Sequence, residues 1–337
     1  MLNPKIKLKE IKYREYERYS RHIILENINK EGQIRIKLAK ILFVGAGGIN
    51  SSSLLYLTAC GIGLIGIIDN DEIEISNLQR QIIYNINDLK INKAKAAKNH
   101  LQLINPLIKI KTYNYFFSES NAYNLIAEYD IIIDGTDNFT SRYIISRYCF
   151  LLHKVHIYGA VDKFVGEVSV FNYQNGPRYN DLYKESSNQS RENCNSIGIL
   201  NTITGIIGLI QATEAIKIIA GIGNIINGYF IRYNLLDLST QKIVIKPIKN
   251  SKKIQKNKID KNNNIFKPNY IQKNELKRLL LHKSYKLIDI REPIEFELQH
   301  MNNSVNIPLK QFKRKKTLKN IIKEYNKKFL LFIVTMN

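Results

Sequence analysis

Three cysteines in 337 residues, Cys60, Cys149 and Cys194, are too few and too widely spaced to form a disulfide framework. The chain therefore reads as one made for a reducing interior. A secretory start is also lacking, because the first helical pattern carries Lys, Arg and Glu throughout, with no apolar stretch leading to a small-residue cleavage site. The uncharged stretch at residues 196–213 is interrupted by Asn201, Thr202, Thr204 and Gln211 and followed at once by Glu214 and Lys217. It reads as a buried helix, and no membrane is expected as a partner. Acidic residues are scarce: 29 Asp and Glu face 51 Lys and Arg, a net charge of +22. Such an excess usually points to nucleic acid, but its placement argues otherwise. From residue 242 onward 24 Lys and Arg stand against 7 Asp and Glu, whereas the first 241 residues hold 27 against 22. Much of the excess is Lys mixed with Ile and Asn, the bias that AT-rich coding produces, so no nucleic-acid partner is expected. The same bias suits the plastid stroma if the gene is organelle-encoded, and the cytoplasm of an AT-rich bacterium otherwise. No internal repeat is visible.

What is present suits a globular chain: 44 % hydrophobic residues with 10 % aromatics can bury a core, and the length suits one large and one small unit. Short apolar runs at residues 41–44, 64–68 and 131–133 end at Gly45, Asp69 and Asp134, with helical patterns between them such as residues 93–104. Apolar strands separated by helices predict a doubly wound α/β fold, a Rossmann-like and mostly parallel sheet covered on both faces. Further strands are expected at 168–173 and 228–234, with an apolar helix at 202–220 between them. The reading divides the chain into a large domain at residues 1–248, a Lys/Asn-rich linker at 249–264 and a small α/β unit at 265–337.

The glycines Gly45, Gly47 and Gly48 sit where strand turns into helix, so backbone N–H groups and a helix N-terminus can approach a phosphate closely. Asp69, ending the next strand, is placed to accept hydrogen bonds from ribose hydroxyls. Both ATP and NAD fit those features. Ser76-Asn77-Leu78-Gln79-Arg80-Gln81, Lys93 and Asp134-Gly135-Thr136-Asp137-Asn138 separate the two, because a dehydrogenase needs none of them. Nucleotidyl transfer needs cations where charge grows on the α-phosphate and the leaving pyrophosphate, and a carboxylate for Mg²⁺. Arg80, Lys93 and Asp137 supply that set. Taken singly each has a plainer role, Arg80 and Lys93 as solvated charges and Asp137 as the cap of a helix starting near Phe139. His153 and His156, in or near an apolar run, are expected to be structural.

Arg18-Tyr19-Ser20-Arg21 with Ile23 and Ile24, the Gly-Ala-Gly-Gly turn, residues 76–81, Thr136-Asp137-Asn138 and Gln211-Ala212-Thr213-Glu214-Ala215 resemble the MoeB/ThiF family, adenylating relatives of ubiquitin-activating enzymes. The resemblance covers about residues 13–247. It implies ATP-dependent adenylation of the C-terminal glycine carboxylate of a small ubiquitin-like sulfur-carrier protein ending in Gly-Gly, in molybdopterin or thiamine synthesis, with molybdopterin favoured. It implies that Gly48, Asp69, Ser76, Asn77, Leu78, Gln79, Arg80, Lys93, Asp137 and Asn138 contact ATP or its Mg²⁺. It further implies a homodimer in which Arg21 reaches the neighbouring subunit's nucleotide. The carrier carboxylate is already ionised at pH 7, so it can attack the α-phosphate without a general base.

The chain departs from the family in its zinc ligands and in its last unit, and keeps one cysteine of interest. Many relatives hold zinc with two Cys-x-x-Cys pairs; here Arg178 and Asp181 occupy the first pair and no cysteine lies between residues 249 and 258, so no zinc is expected. Cys194 aligns with a cysteine that in eukaryotic relatives forms a thioester or persulfide, and its reactivity would need nearby positive charge such as Arg191. The last unit resembles a truncated rhodanese domain through Leu287-Ile288-Asp289-Ile290-Arg291-Glu292-Pro293, with Thr335-Met336-Asn337 where the nucleophile loop would be. Sulfur transfer by it is not expected. Two other readings compete, an NAD-dependent oxidoreductase and a degenerate scaffold that binds the carrier without activating it.

Overall fold

The computed structural model describes residues 11–183 and 198–245, together with short stretches between 285 and 333. The chain forms two compact units, Met1–Ser251 and Lys252–Asn337. In the first unit, strands β1 (Lys40–Val44), β2 (Leu64–Ile68), β3 (Lys109–Tyr113), β4 (Ile131–Asp134), β5 (Val155–Asp162), β6 (Val165–Phe171), β7 (Tyr229–Asn234) and β8 (Ser239–Val244) form one sheet in the order β3-β2-β1-β4-β5-β6-β7-β8. The helices are α1 (Tyr13–Ile23), α2 (Asn29–Leu38), α3 (Gly48–Ala59), α4 (Lys93–Ile104), α5 (Glu119–Ala127), α6 (Phe139–Leu151), α7 (Tyr179–Leu182) and α8 (Asn201–Ala220).

Side chains alternate across a strand, so each central strand feeds two cores. Ile41 and Phe43 of β1 join Ile65 and Ile67, Ile131 and Ile133, and the apolar faces of α2, α3, α4 and α8. Leu42 and Val44 point the other way and join Ile68, Ile132 and the buried residues of α5 and α6. A strand covered on both sides must be apolar at every position, which is why these strands read as unbroken Ile, Leu, Val and Phe runs. A third, aromatic cluster holds Tyr143, Tyr158, Phe171, Tyr179 and Phe230.

Strands β3, β2, β1, β4 and β5 run parallel, as the α/β alternation predicts. The expected strands at 168–173 and 228–234 exist as β6 and β7, but they run antiparallel, together with β8. The reversal begins at Lys163-Phe164, a two-residue connection from β5 to β6 in which Lys163 takes a left-handed φ of 53°. So short a link cannot carry a crossover helix. The apolar stretch after residue 196 is helix α8, packed on α3, with the buried Glu214 carboxylate accepting the Ile226 N–H at 2.9 Å and paired to Lys217. In the second unit, β9 (Tyr285–Asp289) lies between β10 (Ser304–Asn306) and β11 (Phe329–Ile333), all parallel, with α9 at Pro293–Leu298. Residues 334–337, where the sequence places the rhodanese nucleophile loop, lie outside the described residues.

The contact of α8 with α3 is tight because Gly208 faces the Ile49 carbonyl and the Ser52 hydroxyl, leaving no room for a side chain. Ser52 Oγ donates to the Gly205 carbonyl at 3.0 Å across the same contact. Gly205 itself has open space where a Cβ would point. The two glycines therefore separate packing from helix propensity. Gly208→Ala is expected to destabilise by about 1–3 kcal/mol through overpacking, whereas Gly205→Ala is expected to be neutral or to stabilise by about 0.5–1 kcal/mol through propensity. Urea unfolding of both variants checks this; equal effects would show that the α3–α8 approach does not set the cost.

Candidate functional site

An open parallel sheet binds ligands at the carboxyl ends of its strands, where the strand order reverses. In this sheet the reversal lies between β1 and β4, and the loops after β1, β2 and β4 carry the polar residues singled out above. After β1 the chain turns through Gly45, whose φ of +87° is a left-handed value that favours glycine, and whose missing Cβ would stand 3.2 Å from the Gly135 carbonyl. The turn thus lies against the loop that follows β4. Gly47 is the N-cap of α3 and no side chain among the described residues caps that helix, so its first N–H groups are unspent there, at the positive end of the helix dipole.

Arg80 crosses this helix start. Its Cγ and its carbonyl each lie 3.3 Å from where a Cβ on Gly48 would be, and its guanidinium donates to the Ser76 carbonyl at 3.1 Å. Beside it the Gln81 side chain is buried, with Oε1 lacking any hydrogen-bond partner among the described residues. Gln81 Nε2 is 3.9 Å from a Cβ position on Gly47. The other residues of the 76–81 segment do different things. Asn77 is buried and its side-chain oxygen accepts the Glu74 N–H at 3.1 Å, Leu78 packs on the main core, and Ser76 and Gln79 are exposed.

Asp69 directly follows β2 with both oxygens engaged: Oδ2 accepts the Ala46 N–H at 2.7 Å and Oδ1 the Asp71 N–H at 2.9 Å. Burial pushes its carboxyl above the ordinary value, and the Lys93 charge and the Ala46 N–H offset that only in part. Lys93 is buried at the start of α4, and its ammonium pairs with the exposed Asp71 carboxylate at 2.9 Å. An ammonium has three donors, so two stay available to a phosphate. Tyr84, which the sequence reading missed, ties these parts together: its hydroxyl lies 2.8 Å from the Ala46 carbonyl and 3.1 Å from that of Lys93. Burial raises that phenol well above its usual pKa, so it stays a neutral donor. Asp71 was missed as well, since a lone acidic residue after a strand looks like a solvated charge.

The loop after β4 settles which residue caps the helix that follows. The cap of α6 is Asn138, whose Oδ1 accepts the Ser141 N–H at 2.8 Å. Asn138, read from the resemblance as a nucleotide contact, spends that oxygen on its own helix. Asp137 is exposed, and among the described residues its carboxylate meets only the Asn138 amide, at 3.4 Å. Arg21 is exposed on α1, and among the described residues no hydrogen bond or ion pair joins it to the turn. Cys194 lies outside the described residues. Where many relatives hold the first zinc pair, the Arg178 N–H donates to the Asp181 carboxylate at 2.8 Å and the Arg178 guanidinium lies 4.4 Å from the Phe150 ring centroid. Among the described residues no cluster of three or more His, Cys, Asp or Glu could hold a metal.

Comparison with known proteins adds names to this geometry. A red algal relative from Gracilaria tenuistipitata var. liui, a probable molybdopterin-synthase adenylyltransferase, is 47% identical over 306 residues, covering 90% of this chain and 85% of its own. The probable adenylyltransferase/sulfurtransferase MoeZ of Mycobacterium tuberculosis is 36% identical, covering 87% and 79%. Among solved structures, E. coli MccB with ATP superposes with a TM-score of 0.62 at 22% identity, covering 69% of this chain and 72% of its own, which bears on the fold alone. The description of the ThiF family fits residues 19–254, the whole span that holds the sheet's switch point and the loops around it. The chain belongs to the ThiF family.

Proposed function

We propose that this protein adenylates the C-terminal glycine carboxylate of a small ubiquitin-like sulfur carrier ending in Gly-Gly, with ATP and Mg²⁺, in molybdopterin synthesis. One observation carries the reading: a helix N-terminus at the switch point of the sheet without a side-chain cap among the described residues, with Arg80 across it, Lys93 at the start of α4 and Asp137 on the loop after β4. The names of the red algal and mycobacterial relatives support the reaction class and the pathway. The red algal relative and the coding bias support a plastid location.

In this reading the N–H groups of α3 hold the phosphates, Arg80 and Lys93 neutralise charge on the α-phosphate and the departing pyrophosphate, and Asp69 faces the ribose. The Gln81 side-chain oxygen, without a partner among the described residues, would accept a hydrogen bond from a hydroxyl or amino group of the nucleotide. Attack by a carboxylate oxygen on the α-phosphorus makes a mixed anhydride and releases pyrophosphate, so no proton is moved and no general base is needed. Asp137 has the character of a Mg²⁺ ligand, an exposed carboxylate without a strong hydrogen bond, and the ion would supply charge neutralisation at the phosphates. All residues given a role in this chemistry belong to the domain at 1–248, none to the linker at 249–264 or the unit at 265–337, and adenylation does not call on Cys194.

Asp137 and Asn138 test the assignment side by side. Asp137→Ala should lower carrier-dependent ATP–pyrophosphate exchange by on the order of 10²-fold or more with the melting temperature unchanged. Asn138→Ala should lose about 1 kcal/mol of stability through the helix cap. An Asp137→Ala protein that exchanges pyrophosphate at the wild-type rate would remove Asp137 from the chemistry.

A homodimer with Arg21 acting on the neighbouring nucleotide predicts subunit complementation. Arg21→Ala and Asp137→Ala, each nearly inactive alone, should on mixing recover about a quarter of wild-type exchange, since half the dimers then hold one intact site. Mixtures as inactive as the separate variants would show that Arg21 does not act across a subunit boundary.

A further inference from the structure

Asp137 has almost no bonds of its own, so something else must hold it where a cation and a phosphate can meet it. The residues before it are tied down on every side. Asp134, fully buried at the end of β4, accepts the Thr136 N–H at 3.0 Å and the Thr136 hydroxyl at 2.7 Å on one oxygen. Its other oxygen lies 3.1 Å from Nε2 of His156, which is itself fully buried on β5. The Thr136 carbonyl accepts the Arg142 guanidinium at 2.7 Å, and the Asp134 carbonyl accepts Gln211 Nε2 at 2.9 Å. Arg142 is buried too, its charge spread over the faces of Phe139 and Tyr158 at 5.6 and 5.4 Å.

A buried carboxylate is expensive unless partners compensate for its lost water. Burial alone would push the Asp134 carboxyl up; the His156 hydrogen bond and charge, Arg142 and the Thr136 hydroxyl reverse that, and it lies below the ordinary value. Remove the His156 donor and the oxygen it serves loses its hydrogen bond, leaving the charge of Arg142 as its main remaining compensation. The carboxyl then either takes up a proton or turns, and Oδ1 no longer holds both Thr136 donors in place. Thr136 immediately precedes Asp137.

We propose that His156 is a positioning residue for the adenylation reaction: through Asp134 and Thr136 it fixes the backbone that presents Asp137. This rests on the reading of Asp137 given above. Nothing in the sequence alone pairs His156 with Asp134, which lie 22 residues apart on neighbouring strands. The contact is made because β4 and β5 are adjacent and parallel, with Asp134 and Tyr158 in register and His156 one pleat earlier on the same side as its neighbour's carboxylate.

Two variants and two readouts test it in the full chain. His156→Leu keeps bulk and removes the donor; His156→Gln puts an N–H near the place of Nε2. Leu should lower kcat of carrier-dependent pyrophosphate exchange about 10- to 100-fold with little change in KM for ATP, the range seen when a supporting partner of a reactive group is lost. Gln should restore most of it. Independently of any activity, amide hydrogen–deuterium exchange at residues 135–138 should speed up in His156→Leu and return toward wild type in His156→Gln. If Leu melts earlier yet keeps the wild-type kcat and amide protection, His156 is packing only and the proposal is wrong. If Leu and Gln lose kcat and protection equally, hydrogen bonding is not what matters and it is wrong again. Should the wild type itself show no carrier-dependent exchange, the adenylation reading fails, and the amide exchange still decides whether His156 fixes the loop.

Discussion

Everything at this site depends on one end of one helix being left without a cap. Among the described residues the first N–H groups of α3 have neither a side-chain acceptor nor an intrahelical partner, and they sit at the positive end of the helix dipole. That arrangement is tolerable only where a ligand or water supplies the missing acceptors. It also dictates the neighbours. A residue with a Cβ at position 45 would need a strained left-handed backbone and would press on the Gly135 carbonyl, and one at position 208 would push α8 off α3. The glycines thus serve the close approach of turn to loop on one side and of helix to helix on the other.

Around that end, charge is arranged so that the resting protein is already balanced. Lys93 is buried but paired with Asp71, Asp69 is held by two backbone N–H groups, and Asp134 by Thr136 and His156. Preorganised charge of this kind needs little rearrangement when a substrate arrives, which is the condition under which it stabilises a transition state most. Arg80 and Asp137 are the less engaged members, one lying across the helix start and the other standing free in its loop.

How much of this was legible in the sequence varies with the range of the interaction. Strand β2 and helix α4 were read to the residue, because an unbroken apolar run between turn signals and an Asn-capped 3.6-residue pattern are both local. The doubly wound order followed from the alternation of such segments. Strand β5 escaped notice because His156 breaks its apolar run, although that histidine is fully buried. The antiparallel half of the sheet escaped because its direction is decided at Lys163-Phe164, a turn without glycine, asparagine or proline. Among the residues proposed for the site, Gly45, Arg80, Lys93 and Asp137 could be picked out from residue type and order. Asp71, Tyr84 and His156 could not, since each acts through a partner brought near only by the fold. The doubt over Asp137 as a helix cap was a doubt of one position, and the Asn138 cap resolves it.

The central claim is that a carrier carboxylate attacks the α-phosphorus of ATP, and oxygen tracing tests it most directly. The carrier's terminal carboxylate is labelled with ¹⁸O and incubated with this protein, ATP and Mg²⁺, and the product is cleaved by a thiol. The account predicts that pyrophosphate is released and that one labelled oxygen appears in AMP, carried from the carboxylate to phosphorus. Release of ADP and phosphate, or AMP without label in the presence of carrier turnover, would contradict it.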